Sequence, residues 1–190
     1  MKHLVILASG SGSNAENIYN YFKGNSKIKI DLIATNNPKA GVIERAKRLK
    51  IPFKIFNKKQ LIEGDLLLWP EFAQTDLIIL AGFLLKIPSD LITKFPNKII
   101  NIHPALLPKY GGKGMYGDRV HQSVVANKET ESGITIHYIN KNYDEGVIIF
   151  QKSFTLKTEE TAASLAQKIH QLEYKYFPKV IDKLLFDGAK

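Results

Sequence analysis

Residues 4–14 read LVILASGSGSN: a short unbroken apolar run, Leu4 to Ala8, followed at once by Ser9-Gly10-Ser11-Gly12-Ser13-Asn14. An apolar run without alternation marks a strand buried on both faces, as in a parallel sheet. Residues 14–23 then carry Ile18 and Phe22 four apart, a helical spacing. The stretch therefore reads as strand, tight turn, helix. Working outward, the unit repeats. Residues 30–35 form a second apolar run closed by Asn36-Asn37-Pro38, residues 41–50 read as helix, and 51–56 as a strand despite Pro52. Residues 77–82 (LIILAG) are the most apolar run and the expected central strand; 88–95 read as a short helix and 98–103 (KIINIH) as another strand. Strand and helix alternating from the start predict an α/β fold. It should be a doubly wound, mostly parallel, Rossmann-like sheet with helices on both faces, in a single domain over 1–190.

The second half departs from that alternation. Residues 109–118 hold four glycines, Gly111, Gly112, Gly114 and Gly117, and predict a mobile loop. Residues 133–139 (GITIHYI) alternate, and 146–151 follow a short polar turn; this pair should close the sheet as antiparallel or mixed strands. Residues 158–185 predict one or two helices, with Leu165, Ile169, Leu172 and Tyr176 on one stripe and Pro178 kinking or dividing them.

Composition narrows the function classes. A hydrophobic share of 44% is that of an ordinary globular protein, and no apolar stretch approaches the roughly 18 residues that span a bilayer. The start, Met1-Lys2-His3, lacks a leader's long apolar region, so the expectation is a cytoplasmic protein with no membrane partner. With no cysteine there are no disulfides and no thiolate metal site, and no histidine pair has metal-ligand spacing, so no metal is expected. The net charge of +9 comes from scattered lysines; the arginines are Arg45, Arg48 and Arg119 alone. Base readout favours clustered Arg, so no nucleic-acid partner is expected; a field that attracts small anions, or plain lysine bias, explains the charge.

Three constellations can carry chemistry. The Ser9–Asn14 turn opens a helix, where glycines allow close backbone approach and free amides attract an anion. A side chain at Gly12 is expected to block that anion. The alternative is a plain turn with Ser13 or Asn14 as N-cap. Ala15 keeps the shape of a dinucleotide fingerprint, but Thr35-Asn36-Asn37 stands where its acidic ribose ligand belongs, which favours a single phosphate over a dinucleotide. Asn101-Ile102-His103-Pro104 places an amide and an imidazole two apart, on one face at a strand's carboxyl end, where open α/β sheets bind ligands. Asn142-Tyr143-Asp144-Glu145-Gly146 offers an aspartate that could support a histidine's charge, or simply fold back on its own turn. His137 reads as a structural or rim group. His3, His121 and His170 carry weaker cases.

Together these pieces resemble the folate-dependent formyltransferase family over nearly the whole chain. The resemblance rests on LVILASGSGSN, LIILAGF at 77–83, NIHPALLPKYGG at 101–112, SGITIHYI at 132–139 and YDEGVII at 143–149, and on Glu173 ahead of Tyr176-Phe177-Pro178. The GSGSN turn in a short chain points to the glycinamide ribonucleotide branch. The resemblance implies formyl transfer from 10-formyltetrahydrofolate, as co-substrate, to that ribonucleotide's amine, by a monomer or homodimer. Asn101, His103 and Asp144 would be catalytic. Gly12, Ser13, Asn14 and Glu173 would bind the ribonucleotide, and Leu84, Leu85, Lys86 and Ile87 with Asn140, Lys141, Asn142 and Tyr143 the folate. Residues 1–100 would form the phosphate-binding half and 101–190 the catalytic and folate-binding half. Leu85 stands where many relatives carry Arg, residues 57–76 form a shortened segment containing Pro70, and the loop from Gly111 to Gly117 is longer than usual and expected to act as a lid. The readings that compete with this one are another folate-dependent formyltransferase or hydrolase, a non-catalytic nucleotide-binding module and an NAD-dependent oxidoreductase.

Overall fold

Seven strands in the order β3-β2-β1-β4-β5-β6-β7 make one sheet in a computed structural model that describes residues 1–187. The strands are β1 (Lys2–Leu7), β2 (Ile28–Thr35), β3 (Phe53–Ile55), β4 (Leu77–Leu80), β5 (Ile99–His103), β6 (Glu131–Tyr138) and β7 (Ile148–Thr155). The first five are parallel; β6 runs antiparallel to both β5 and β7. The strand order reverses between β1 and β4, which leaves a crevice beyond their carboxyl ends.

The unbroken apolar runs are explained by burial on two sides. Leu4 and Ile6 of β1 pack into one layer with Ile18 and Phe177, whereas Val5 and Leu7 pack into the other with Phe72 and Leu91. The first layer is supplied by α1 (Ser13–Phe22), α2 (Val42–Leu49), α6 (Asp118–Ala126) and α7 (Ala162–Phe186). The second is supplied by α3 (Lys58–Glu63), α4 (Pro70–Ala73) and α5 (Ser89–Lys94).

Several elements differ from the sequence-based expectation. The segment 57–76 is not featureless: Asn57 and Gln60 form a reciprocal capping box that starts α3, and Pro70 sits at the head of α4, where its missing N–H costs nothing. The glycine-rich stretch ends at Asp118, where a helix begins that no side-chain cap announces. Nor does Pro178 divide α7, which runs unbroken from Ala162 to Phe186. Proline leaves the carbonyl of residue 174 without its helical donor. Asn17 Nδ2 of α1 donates to the Tyr174 carbonyl at 2.9 Å and fills that vacancy. Ser13 and Asn14 do not cap α1; Gly12 holds the N-cap position, and no side chain caps the first turn.

The structure also gives Gly12 a different reason from the one expected. Its φ is +77°, and a Cβ there would overlap the side chain of Val42 at the start of α2. Glycine is needed so that the turn can pack on α2. Left-handed backbone costs a non-glycine residue about 1–2 kcal/mol and overpacking about 1–3. Gly12→Ala is therefore expected to lose about 2–4 kcal/mol of stability in urea denaturation. Unchanged stability would show that α2 moves aside freely.

Candidate active site

β1 and β4 both end beneath the crevice, and Ser9 joins their loops: its hydroxyl donates to Asn36 Oδ1 at 2.6 Å and accepts from the Leu84 amide at 3.0 Å. Arg45 Nε donates to the Ser11 carbonyl at 2.8 Å, and Arg45 and Arg48 both pair with Glu16, so these cations fix the turn. With no side-chain cap, the first-turn amides of the ten-residue α1 are left as anion donors.

A cavity of about 450 Å³ opens beyond the strand ends. Asn101, His103 and Asp144 all line it, with Asn14 and Glu173 at one end. Leu84, Leu85, Lys86, Ile87, Asn140, Asn142 and Tyr143 line it too. Gly12, Ser13 and Lys141 are not among its walls. Leu85 is half-buried against the second core layer. Lys86 Nζ lies 5.4 Å from the centre of the Tyr143 ring and so joins the two loop segments.

At the centre, β5 delivers Asn101 and His103 from one strand face, and the turn after β6 delivers Asp144. His103 is buried; its Nε2 lies 2.8 Å from the Tyr110 carbonyl, which accepts an Nε2–H and leaves Nδ1 facing Asp144 Oδ2 at 3.7 Å. Asp144 sits at φ +55°, and its Oδ2 also accepts from the Gly112 amide at 2.9 Å. The turn carrying Asp144 is held against β6 by Gly146, where any Cβ would overlap the Tyr138 carbonyl.

His137, which reads in sequence as a bystander, is fully buried between the other groups. Its Nδ1 gives a hydrogen bond to the Tyr138 carbonyl at 2.9 Å, so Nε2 accepts from Asn101 Nδ2 at 3.2 Å. That contact orients the amide and leaves it a second N–H. His137 Nε2 is also 3.6 Å from Asp144 Oδ1. His121 and His170, which carry only weak cases in the sequence, both line the cavity because α6 and α7 pack together. No short motif marks either one. Glu173 Oε2 accepts from Asn14 Nδ2 at 2.9 Å and from His170 Nδ1 at 3.0 Å, so α1 and α7 are joined inside the cavity.

Burial pushes the His103 imidazole below its ordinary value; Asp144 and the Tyr110 carbonyl oppose the shift without cancelling it. Burial thus favours the neutral ring in the free site, against the support that Asp144 gives to its charge. Burial raises Asp144 as well, but its imidazole neighbours and the Gly112 amide outweigh that and hold it below the usual carboxylate range. Among the described residues no group of three or more potential ligands could hold a metal ion, and no helix is long and apolar enough to cross a membrane.

The sequence profile of the formyl transferase family matches residues 2–181. A chloroplastic phosphoribosylglycinamide formyltransferase of Arabidopsis thaliana is 36% identical, covering 100% of this chain and 67% of its own length. The chain spans about two thirds of the plant proteins that it matches, 67% and 61%. The phosphoribosylglycinamide formyltransferase of Bacillus subtilis is 36% identical over 97% of this chain and 95% of that protein. Among solved structures, the phosphoribosylglycinamide formyltransferase of Anaplasma phagocytophilum superposes with a TM-score of 0.89 at 32% identity, covering 100% of this chain and 89% of that one.

Of the influences that raise the His103 pKa, Asp144 is the strongest. Asp144→Asn removes it, so His103 should titrate lower still. NMR titration of the imidazole reads this directly. A midpoint that stays put or rises in the variant contradicts the pairing.

Proposed function

The chain belongs to the formyl transferase family, and on that premise we propose that it transfers a formyl group from 10-formyltetrahydrofolate to the amine of glycinamide ribonucleotide, a step of purine biosynthesis. Its relatives' shared name, phosphoribosylglycinamide formyltransferase, supports the acceptor. The observation that carries the reading is the position of Asn101, His103 and Asp144. They line one cavity together with Asn14, Glu173, residues 84–87, Asn140, Asn142 and Tyr143. A site for two substrates needs its reacting groups where the two meet. The cytoplasm is the proposed location and a monomer or homodimer the proposed assembly.

In this reading the ribonucleotide phosphate meets the uncapped amides of α1 at Ser13 and Asn14, and Glu173 holds the ribose or glycinamide end. Gly12 contributes by shaping the turn. Backbone groups of 84–87 and 140–143 read the pterin edge. The substrate amine attacks the formyl carbon, and the carbonyl electron pair moves to oxygen. The free N–H of Asn101 stabilises that oxyanion from the start, and His103 adds to it once its Nδ1 is protonated. His103 begins neutral. Negative charge developing a few ångströms away raises its proton affinity, so it takes the proton that the attacking amine loses. Asp144 stabilises the imidazolium while it exists. The proton then passes to the folate nitrogen as its bond to carbon breaks, directly or through water, and His103 returns to its resting form.

His103→Ala should lower kcat by two or more orders of magnitude with both substrate KM values little changed, because binding contacts lie elsewhere. Asn101→Ala should be comparably damaging, since one oxyanion donor contributes about 10²–10³ in rate. His103→Asn should recover little, because an amide donates a hydrogen bond but carries no proton. Steady-state assays with glycinamide ribonucleotide, methionyl-tRNA and free formate as alternative substrates test the assignment. Retention of more than about a tenth of wild-type turnover in His103→Ala contradicts the role. Preference for methionyl-tRNA contradicts the acceptor.

A further inference from the structure

Two peptide groups of one short segment touch the reacting side chains. The Tyr110 carbonyl meets His103 Nε2 at 2.8 Å, and the Gly112 amide donates to Asp144 Oδ2 at 2.9 Å. The first bond sets which imidazole nitrogen carries the proton, and the second seats the carboxylate. A backbone carbonyl is only as well placed as the residue that carries it. Tyr110 sits at φ +57°, a left-handed conformation that bulky residues rarely adopt. Such a conformation persists only where its surroundings hold it.

The end of α6 supplies the hold. The Tyr110 hydroxyl donates to Glu129 Oε1 at 2.8 Å and accepts from Asn127 Nδ2 at 2.9 Å. Asn127 is the C-cap of α6, and Lys128 follows it at φ +49°. The amides of Lys128 and Glu129 return to the carbonyls of Val125 and Val124 at 3.0 and 3.3 Å, so both partners stand on a closed helix end. Lys109 Nζ lies 3.1 Å from Glu129 Oε1 and adds a second tie beside Tyr110. The Tyr110 hydroxyl and Lys109 hold the Glu129 carboxyl below its ordinary value, so it stays an acceptor. Burial, helped by Glu129, pushes the Tyr110 hydroxyl above its ordinary value, so it keeps its proton and stays a donor. The Tyr110 ring packs against the first core layer. Tyr110, Asn127 and Glu129 are not among the cavity's walls.

We propose that Tyr110 is a positioning residue of the transfer reaction: its hydroxyl, clamped by Asn127 and Glu129, fixes the carbonyl that keeps His103 Nδ1 free to take the proton. The inference rests on the formyl-transfer reading above and adds an outer support to it. Because the clamp stands apart from the cavity, its loss reaches the reaction through His103, not through substrate contacts. Binding of either substrate is therefore untouched, and the rate is not.

The test compares the intact wild-type enzyme with Tyr110→Phe, Glu129→Leu and Glu129→Gln. Phenylalanine keeps the packing of the ring and deletes only the hydroxyl. In Tyr110→Phe and Glu129→Leu, kcat with glycinamide ribonucleotide should fall about tenfold, with both substrate KM values within about twofold. Glu129→Gln, whose amide oxygen still accepts from the hydroxyl, should recover most of that loss. NMR of the imidazole nitrogens should show wild-type His103 as the Nε2–H tautomer and the Tyr110→Phe ring as a mixture of both. Its titration midpoint should fall, because the bond to the carbonyl favours the charged ring. Asp144, His137 and Glu173, the charged groups that act on His103, are unchanged in every variant. Wild-type kcat in Tyr110→Phe overturns the proposal. So does a fallen rate with an unmoved His103 spectrum, which marks a structural tyrosine. Should Tyr110→Phe fail to fold, Glu129→Leu decides by the same readouts, since it leaves the core intact. Wild-type enzyme that turns over no glycinamide ribonucleotide brings down the reading beneath; normal wild-type turnover matched by Tyr110→Phe brings down this inference alone.

Discussion

The site depends on one carboxylate taken out of water. Asp144 stands 3.7 Å from His103 and 3.6 Å from His137, and accepts the Gly112 amide at 2.9 Å. The Gly112 amide donates to it directly, and either imidazole pairs with it on protonation. Those partners come from the paired strands β5 and β6 and from the glycine-rich loop, so the carboxylate ties that loop to the sheet. The backbone accepts the arrangement because aspartate tolerates its positive φ and because Gly146 lets the turn lie against Tyr138. A larger residue at 146 would lift the turn, and the carboxylate with it.

That placement sets a contest at His103. Burial favours the neutral ring and Asp144 the charged one; burial prevails in the free site. A base at rest that becomes an acid when charge develops is better suited to a transfer reaction than a permanent imidazolium. The latter could not accept the amine's proton. Asn101 is oriented before any substrate arrives by an imidazole that has given its own N–H to Tyr138. Asn101 and His103 stand at the end of a strand and Asp144 on a loop beside it, the usual place for a site in an open α/β sheet.

Much of this is legible in the sequence. Continuous apolar runs give the parallel strands because burial on two faces leaves no alternation, and the i, i+2 spacing of Asn101 and His103 puts both at one strand end. The failures have physical causes. Asn57 and Gln60 did carry a capping signal for α3, but α6 begins at Asp118 after Gly117, with no side-chain cap. Pro178 looks like a helix end because the donor that replaces its N–H comes from Asn17, more than 150 residues away in sequence. Gly12 reads as room for a ligand, whereas the constraint is Val42. An aspartate near a histidine can be guessed from spacing. The depth of burial that reverses its effect on charge cannot. His121 and His170 make only weak cases in the sequence for the same reason: the packing of α6 and α7 brings them to the cavity.

The central claim is that Asp144 acts on the reaction through His103. A double-mutant cycle on kcat/KM with Asp144→Asn and His103→Ala tests it most directly. If the claim holds, Asp144→Asn is costly in the wild-type background and nearly silent once His103 is gone, so the double variant is little worse than His103→Ala alone. Fully additive losses would mean that Asp144 acts on the substrates independently of His103, and the account would fail at its centre.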